Sequence, residues 1–173
     1  DIDYLALCRA FSLIEDQLPE NANKAPVALI NIDAQAILLT IVQDSQLVCT
    51  FYQRYHGEAL LFAIREKLGF NPDKTPDSMP FEPDLTLPAQ QIKYLLHHVL
   101  AKHPLTLTSI MLSGNVALLD GIDKAVTDAT EVNTLIADPF KNMNISPNIN
   151  HKHIKALSPA ALLACGLALR GHA

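Results

Sequence analysis

Tryptophan is absent from the sequence and only 6% of its 173 residues are aromatic, so we expect a largely aliphatic core. Hydrophobic residues still make up 49% of the chain, which is enough for a folded domain. A chain of this length fits one domain or one lobe of a larger protein. It begins with Asp1 rather than methionine, which suggests a fragment or a processed chain.

Cysteine is also scarce. The chain contains only Cys8, Cys49 and Cys165, and no two of them form a CxxC pair. An odd number without such spacing is against a disulfide framework or a zinc site. We therefore expect buried thiols in a reducing compartment.

Histidines that could bind a metal occur as two neighbouring pairs. His97 and His98 are adjacent on a predicted helix and point in different directions, so they cannot easily share one ion. His151 and His153 could do so on an extended segment, but no third ligand is apparent. We expect solvated histidines and no metal site. No P-loop, nucleophile elbow or HExxH motif indicates a catalytic centre.

Long apolar runs and basic stripes are missing as well. The formal net charge is −5 and the lysines and arginines are scattered, which is against nucleic acid as a partner. No uninterrupted apolar run is long enough to cross a bilayer, and no signal-peptide pattern opens the chain. Any membrane association would therefore have to come through a partner.

Five runs of the sequence have the composition of β-strands. They are Val27–Ile32, Ala36–Val42, Gln46–Tyr55, Ser109–Leu112 and Val132–Ile136. The first three are separated by short turns, which predicts an antiparallel meander.

Helical spacing alternates with these strands. The predicted helices are Asp1–Leu18, Glu58–Leu68, Ala89–Lys102, Asp120–Ala129 and a last one that Ser158 caps, with Pro159 at its first position. Residues 71–88 hold five prolines and are predicted to be a loop or a reduced subdomain, and 138–155 a loop. The order of elements predicts an α/β fold, a five-stranded mixed sheet with helices on both faces.

The first candidate site is the turn after the first strand, Asn31–Gln35. Such a turn can direct backbone N–H groups at a phosphate, and glycine allows the close approach. An acidic residue at the strand end could hold a metal-bound water. A plain hairpin fits the same pattern, and on spacing alone it is favoured, because short turn motifs match by chance.

The second candidate site is the turn Ser113-Gly114-Asn115, which follows the fourth predicted strand. A small-residue turn leading toward a helix can receive a nucleotide base or ribose. An ordinary strand-to-helix turn is at least as well supported, since a single glycine is a weak signal.

Six further segments carry a resemblance to a known family. They are Asp3–Phe11, Tyr55–Glu58, Gln90–Ile92, Ala137–Met143, Ser146–Asn150 and Ser158–Arg170. With the two turns in this order, they resemble the second lobe of the actin-like ATPase superfamily. More narrowly, they resemble the C-terminal half of the PilM family of type IV pilus assembly proteins, whose terminal segment is quite specific.

The resemblance implies an actin-like (ribonuclease H-like) lobe in which residues 1–173 form the second, C-terminal half of a two-lobed protein. It thins out at residues 69–88, where we expect a reduced inserted subdomain or loop. Carried over by position, the cofactor-binding candidates are Asn31, Asp33, Ala34 and Gln35 in the second phosphate loop, Arg65 and Glu66 facing the ribose, and Ser113, Gly114 and Asn115 in the adenosine loop.

The phosphate turn departs from the family's pattern, Asp-Ile-Gly-Ala. Asn31 replaces its acidic residue and Asp33 replaces its glycine, while only Gly114 remains of the usual glycine pair in the adenosine loop. Asp33 adds a negative charge near the expected phosphates, and two like charges about 4 Å apart repel by roughly 1 kcal/mol in water and more in a drier site. A cation bound between Asp33 and the phosphates could turn this repulsion into attraction. Asn31 cannot serve as a carboxylate base.

The function implied by the resemblance is that of a cytoplasmic actin-like component of type IV pilus assembly at the inner face of the bacterial inner membrane. It would take part in pilus biogenesis, twitching motility and DNA uptake. Its implied partners are other pilus assembly proteins and the cytoplasmic tail of a PilN-like inner-membrane protein, bound mainly by the other lobe. ATP and Mg²⁺ are the implied ligands of the full-length protein, with little affinity for this chain alone.

Three functions remain in competition at this point. The altered phosphate turn favours a scaffold of the inner-membrane assembly complex that is not an enzyme. The retained strand–turn layout, Gly114 and Glu66 leave an active ATP-binding ATPase or kinase lobe as the alternative. A filament former like the cell-division protein FtsA is the third, without direct support from the sequence.

Overall fold

The structure is a computed structural model that describes residues 3–19, 24–57, 60–68 and 83–171. Most of the predicted loop or reduced subdomain at 69–88 therefore lies outside the described residues. Its described end, residues 83–85, is irregular, whereas Thr86–Pro88 already belong to a helix. The prediction was wrong there, since a proline in the first helical turn removes an N–H that has no intrahelical partner anyway.

A sheet forms the centre of the fold. Its strands are β1 (Val27–Ile32), β2 (Ala36–Gln43), β3 (Gln46–Arg54), β4 (Ser109–Ser113) and β5 (Thr134–Ile136). Within the described part of the chain the sheet has five strands in the order β3-β2-β1-β4-β5. β1 pairs antiparallel with β2 and parallel with β4, β2 pairs antiparallel with β3, and β4 pairs parallel with β5. The predicted meander and mixed sheet are confirmed.

Helices cover both faces of this sheet. They are α1 (Asp3–Ala10), α2 (Leu61–Lys67), α3 (Thr86–Lys102), α4 (Ile122–Thr130) and α5 (His151–Ala168). Alternate side chains of β1 point to opposite faces of the sheet. On one face, Ala28, Ile30 and Ile32 lie in the core formed with α2, α3 and α4. On the other face, Val27 and Leu29 lie in the core formed with α1 and α5. Burial on both faces explains why β1 is apolar almost throughout.

The first helix is shorter than predicted. α1 ends at Ala10, and two 3₁₀ turns, Phe11–Leu13 and Glu15–Gln17, continue the chain toward Leu18. The buried side chains Phe11 and Ile14 follow a helical spacing, but that spacing does not distinguish an α-helix from short 3₁₀ turns.

The last helix begins eight residues earlier than predicted, with its N-cap at Asn150 rather than Ser158. The Asn150 side chain accepts hydrogen bonds from the backbone N–H groups of Lys152 and His153, so Asn150 is the N-cap and α5 starts at His151. Ser158 and Pro159 lie inside the helix and are buried there. A buried helix can tolerate an internal proline because tertiary packing offsets the lost hydrogen bond.

Gly166 allows α1 and α5 to pack closely. A Cβ at this position would lie 1.9 Å from the carbonyl oxygen of Ala6 and 3.1 Å from the Cβ of Ala10. No helix among the described residues is both long and apolar enough to cross a membrane.

The cysteines and histidines lie mostly where the sequence suggested. Cys8, Cys49 and Cys165 are free and half-buried, and burial raises the pKa of each thiol. His97, His151 and His153 are exposed, but His98 is half-buried and makes an edge-to-face contact with Phe51, their ring centroids 5.4 Å apart. The described residues contain no group of three potential metal ligands.

Candidate functional site

The two candidate turns lie side by side. β1 and β4 are parallel neighbours in a register that places Asn31 opposite Ser113. The turns that follow these strands therefore leave the sheet at the same edge, where ligands bind in open α/β sheets. The structure thus brings together two turns that are 82 residues apart in the sequence.

Four residues of the turns form a continuous chain of hydrogen bonds, which we call the turn cluster: Asn31, Asp33, Ser113 and Asn115. The Ser113 hydroxyl donates to Asn31 Oδ1 at 3.3 Å, and Asn31 Nδ2 donates to Asp33 Oδ2 at 3.1 Å. The backbone N–H of Asn115 donates to Asp33 Oδ1 at 2.9 Å. Asp33 therefore joins the two turns.

The polar groups of the turn cluster are largely buried, and they are hydrogen-bonded to one another. Asn31 and Ser113 are buried, with 7% and 1% of their surface exposed, and Asp33 is half-buried. Both ends of the Asn31 amide and both carboxylate oxygens of Asp33 already have partners inside the protein. A nucleotide phosphate placed at this turn would meet a carboxylate and a backbone N–H that is already hydrogen-bonded.

Gly114 is required by the geometry of the second turn. Its φ of +89° is disfavoured for residues with a side chain, and a Cβ would lie 2.5 Å from the carbonyl oxygen of Ile32. Its backbone N–H donates to the Pro159 carbonyl in α5 at 3.0 Å, so this N–H is also engaged. No local sequence pattern indicates this role of Pro159.

The remaining candidate residues lie apart from the turn cluster. Ala34 is buried and Gln35 exposed, and their carbonyl groups accept from the N–H groups of Gly57 and Tyr55, each at 2.8 Å. These bonds hold the turn to the chain that follows β3, on the side away from β4.

α2 carries the two residues expected to face a ribose. It packs against the 3₁₀ turn Asn115–Leu118. Arg65 is exposed on α2 and, among the described residues, has no hydrogen bond to the turn cluster. Glu66 lies in α2, but its side chain is outside what the structure describes.

A second polar cluster surrounds Asp138. Gln17 donates from Nε2 to the Asp138 carbonyl at 2.7 Å and accepts from the Asp138 N–H at 3.1 Å. Asp138 Oδ1 accepts from the Ser158 hydroxyl and from the backbone N–H of Phe140. The segment after β5 is thereby fixed to the N-terminal turns and to α5. Sequence reasoning singled out this segment only through its resemblance, since contacts 121 residues apart leave no local pattern.

Asp16 extends these contacts at the surface. Asn142 Nδ2 donates to its carboxylate at 2.8 Å, and Lys141 forms an ion pair with it at 3.5 Å. The hydrogen bond from Asn142 is the largest effect and lowers the pKa of Asp16 below its ordinary value. Desolvation opposes it with a smaller effect, and the charge of Lys141 adds a still smaller lowering.

Comparison with known proteins identifies a family for the whole chain. The family model described as type IV pilus assembly protein PilM matches residues 1–172. Among solved structures, a PilM–PilN type IV pilus biogenesis complex superposes with a TM-score of 0.71 at 20% identity, covering 99% of this chain and 52% of that one.

Two other solved structures share the fold at lower identity. The ethanolamine utilization protein EutJ from Carboxydothermus hydrogenoformans gives a TM-score of 0.56 at 12% identity, over 98% of this chain and 54% of that one. MreB 5 of Spiroplasma citri bound to AMPPNP gives a TM-score of 0.57 at 13% identity, over 96% of this chain and 58% of that one. The fold is that of an actin-like ATPase lobe. The chain spans little more than half the length of these structures.

Proposed function

The chain belongs to the type IV pilus assembly protein PilM family, and from this we propose that it is the second lobe of an actin-like scaffold of pilus assembly rather than of an ATP hydrolase. In this proposal the full-length protein supports pilus biogenesis, and with it twitching motility and DNA uptake, by binding other assembly proteins at the cytoplasmic face of the inner membrane.

The observation that carries the proposal is the position of the Asp33 carboxylate. It lies where the family's phosphate turn has glycine, and it accepts the Asn115 N–H at 2.9 Å. A phosphate placed at the turn would have to displace this bond and would be repelled by the carboxylate. Asn31, whose amide is engaged at both ends, offers no carboxylate to act as a base for water.

The proposed partner is the cytoplasmic tail of a PilN-like inner-membrane protein. One solved structure with this fold is that of a PilM–PilN complex. In our proposal the other lobe supplies most of the tail-binding surface, and the present lobe supports it. Membrane association then comes through the partner.

A pull-down tests this proposal. The full-length protein is incubated with an immobilised PilN tail peptide and with a scrambled peptide of the same composition. We expect enrichment on the native tail, both with and without ATP and Mg²⁺. Equal recovery on the two peptides would contradict the partner assignment, and binding that requires ATP would contradict a nucleotide-independent scaffold.

The alternative function, ATP binding, is favoured by one feature of the geometry. Gly114 keeps the left-handed conformation and the close approach to Ile32, and the two turns remain adjacent. Isothermal titration of ATP and Mg²⁺ into the full-length protein, wild type and Asp33→Gly, separates the two functions. We expect no resolvable binding to the wild type. Tight binding to the wild type with phosphate release above background would establish the alternative.

A further inference from the structure

The outer edge of β3 is free of any neighbouring strand among the described residues. In an antiparallel pair, alternate residues direct both backbone groups to the partner strand. Tyr55 donates its N–H to Gln35 on the β2 side. By this alternation, Thr50, Tyr52 and Arg54 direct their N–H and C=O groups outward. The edge therefore offers a row of backbone donors and acceptors.

From Cys49 to Gln53 this edge lacks the features that usually prevent strand pairing. Natural edge strands are protected by lysine, proline or a bulge. The irregularity in the β2–β3 register lies at Ile41/Val42, where Val48 is the extra residue near the beginning of β3. The remaining stretch, Cys49–Arg54, is regular and contains neither lysine nor proline. Its edge can therefore accept another strand without rearrangement.

One depression beside the edge is polar and cationic. It measures about 350 Å³ and is lined by Gln35, Tyr52, Arg54, Tyr55 and His56. Tyr52 is 62% exposed, and Arg54 and His56 are also exposed. No ion pair of Arg54 is found among the described residues, and the nearby Asp84 carboxylate acts on Tyr55, whose pKa is raised by burial and then by this charge. The depression suits a carboxylate side chain, which arginine binds strongly.

A second depression lies on the opposite face of the same strand. It measures about 210 Å³ and is lined by Phe51, Gln53, Tyr94, Leu95 and His98, with more apolar than polar surface. Tyr94, on α3, is 67% exposed although it borders the buried Leu95. The depression suits an apolar or aromatic side chain. Successive residues of a strand point to opposite faces, so one extended segment can reach both depressions.

We propose that the outer edge of β3 accepts an extended segment of a partner protein as an added strand. The segment places an acidic side chain against Arg54 and His56 and an apolar or aromatic side chain between Phe51 and Tyr94. In such complexes main-chain hydrogen bonds supply affinity and pockets for alternating side chains supply specificity. The cationic depression selects an acidic segment although the chain as a whole is negatively charged. This proposal does not depend on the proposed pilus function.

Selection from a displayed library of random peptides tests the proposal. We expect enrichment of peptides that alternate acidic and apolar residues. The most enriched peptide is then synthesised with a fluorescent label, and its dissociation constant is measured by anisotropy. Arg54→Glu should weaken binding about tenfold or more, because it replaces attraction by repulsion. Tyr94→Ala should weaken it several-fold. Lys124→Glu makes the same charge change at an exposed position on α4 and should leave binding unchanged.

Backbone pairing is tested separately. Bound peptide should slow hydrogen exchange at the amides of Thr50, Tyr52 and Arg54, and N-methylation of alternate peptide amides should abolish binding. Three results would overturn the proposal: no peptide enriched, enriched peptides that bind Arg54→Glu and Tyr94→Ala as tightly as wild type, or no protection along β3. Sedimentation showing a dimer that Arg54→Glu dissociates would assign the edge to a second copy of the chain instead.

Discussion

Asp33 and Asn115 are joined by a 2.9 Å hydrogen bond from the backbone N–H of Asn115 to the carboxylate of Asp33. The bond connects the turn after β1 to the turn after β4. An acidic side chain at this position therefore has a structural role inside the protein, the stabilisation of a backbone N–H group at the beginning of a 3₁₀ turn. In our proposal the same side chain makes the turn unsuited to phosphate.

Removal of the Asp33 carboxylate is expected to destabilise the fold. In Asp33→Ala, the Asn115 N–H and the buried Asn31 Nδ2 lose their acceptor, so the free energy of unfolding should fall by about 1–3 kcal/mol. Urea denaturation measures this change. Asn115→Ala is the matched control, since it retains the backbone N–H that makes the bond. Equal losses in the two variants would contradict the role assigned to Asp33.

Substitution of Gly114 should be more damaging than substitution of another left-handed glycine. Gly114→Ala places a Cβ 2.5 Å from the Ile32 carbonyl oxygen in addition to straining a φ of +89°. Gly121→Ala strains a φ of +87° but meets no atom nearer than 3.8 Å, at Leu85. We expect about 1 kcal/mol of destabilisation for Gly121→Ala and several for Gly114→Ala.

Thermal and urea unfolding of both glycine variants provide the comparison. The backbone also differs at the two sites, since Gly114 (ψ 179°) lies in a region almost restricted to glycine whereas Gly121 (ψ 0°) lies in the αL region. The difference between the variants therefore combines backbone strain with the steric contact with β1. Similar stabilities would mean that β1 and β4 move apart easily at this edge.

The first turns of α5 are expected to depend on Asn150. Asn150→Ala removes the acceptor for two N–H groups and should cost about 1 kcal/mol. Hydrogen exchange at the amides of Lys152 and His153 should accelerate. Asn148→Ala, at an exposed position just before the helix, should change neither quantity. Unchanged exchange in Asn150→Ala would show that another group caps the helix.

The pKa of Asp16 should rise toward its ordinary value in Asn142→Ala, because the hydrogen bond from Asn142 is the largest cause of its lowering. A carboxylate with a lowered pKa in the folded state adds stability above its unfolded pKa, and this contribution is lost as the pH falls through its folded pKa. The effect on the free energy of unfolding should be small, since the side chains of Asp16 and its ion-pair partner Lys141 are exposed.

Carboxyl NMR titration of the wild type and of Asn142→Ala measures this shift directly. Asn144→Ala, an exposed asparagine two residues further on, is the control and should leave the Asp16 titration unchanged. A titration curve identical in all three proteins would contradict the assigned cause.

Much of the secondary structure could be predicted because it depends on local patterns. β1 and β3 differ from their predicted bounds by at most one residue, and the Asp44-Ser45 turn between β2 and β3 has the positive φ angles of a tight hairpin. The predicted end of α1 and the predicted beginning of α5 were wrong. In the first case the apolar spacing did not distinguish an α-helix from 3₁₀ turns, and in the second the local cap is Asn150, while Pro159 is packed inside the helix.

The sequence by itself determined the order of the elements, the buried character of β1 and the two turns that could face a ligand, since each depends on residues close together in the chain. Its resemblance to the family predicts that Asp33 stands where the family has glycine. Only the tertiary structure decided what Asp33 does. Parallel pairing of β1 with β4 brings Asn115 to it across 82 residues, and such long-range proximity follows from the register of the sheet rather than from any local pattern.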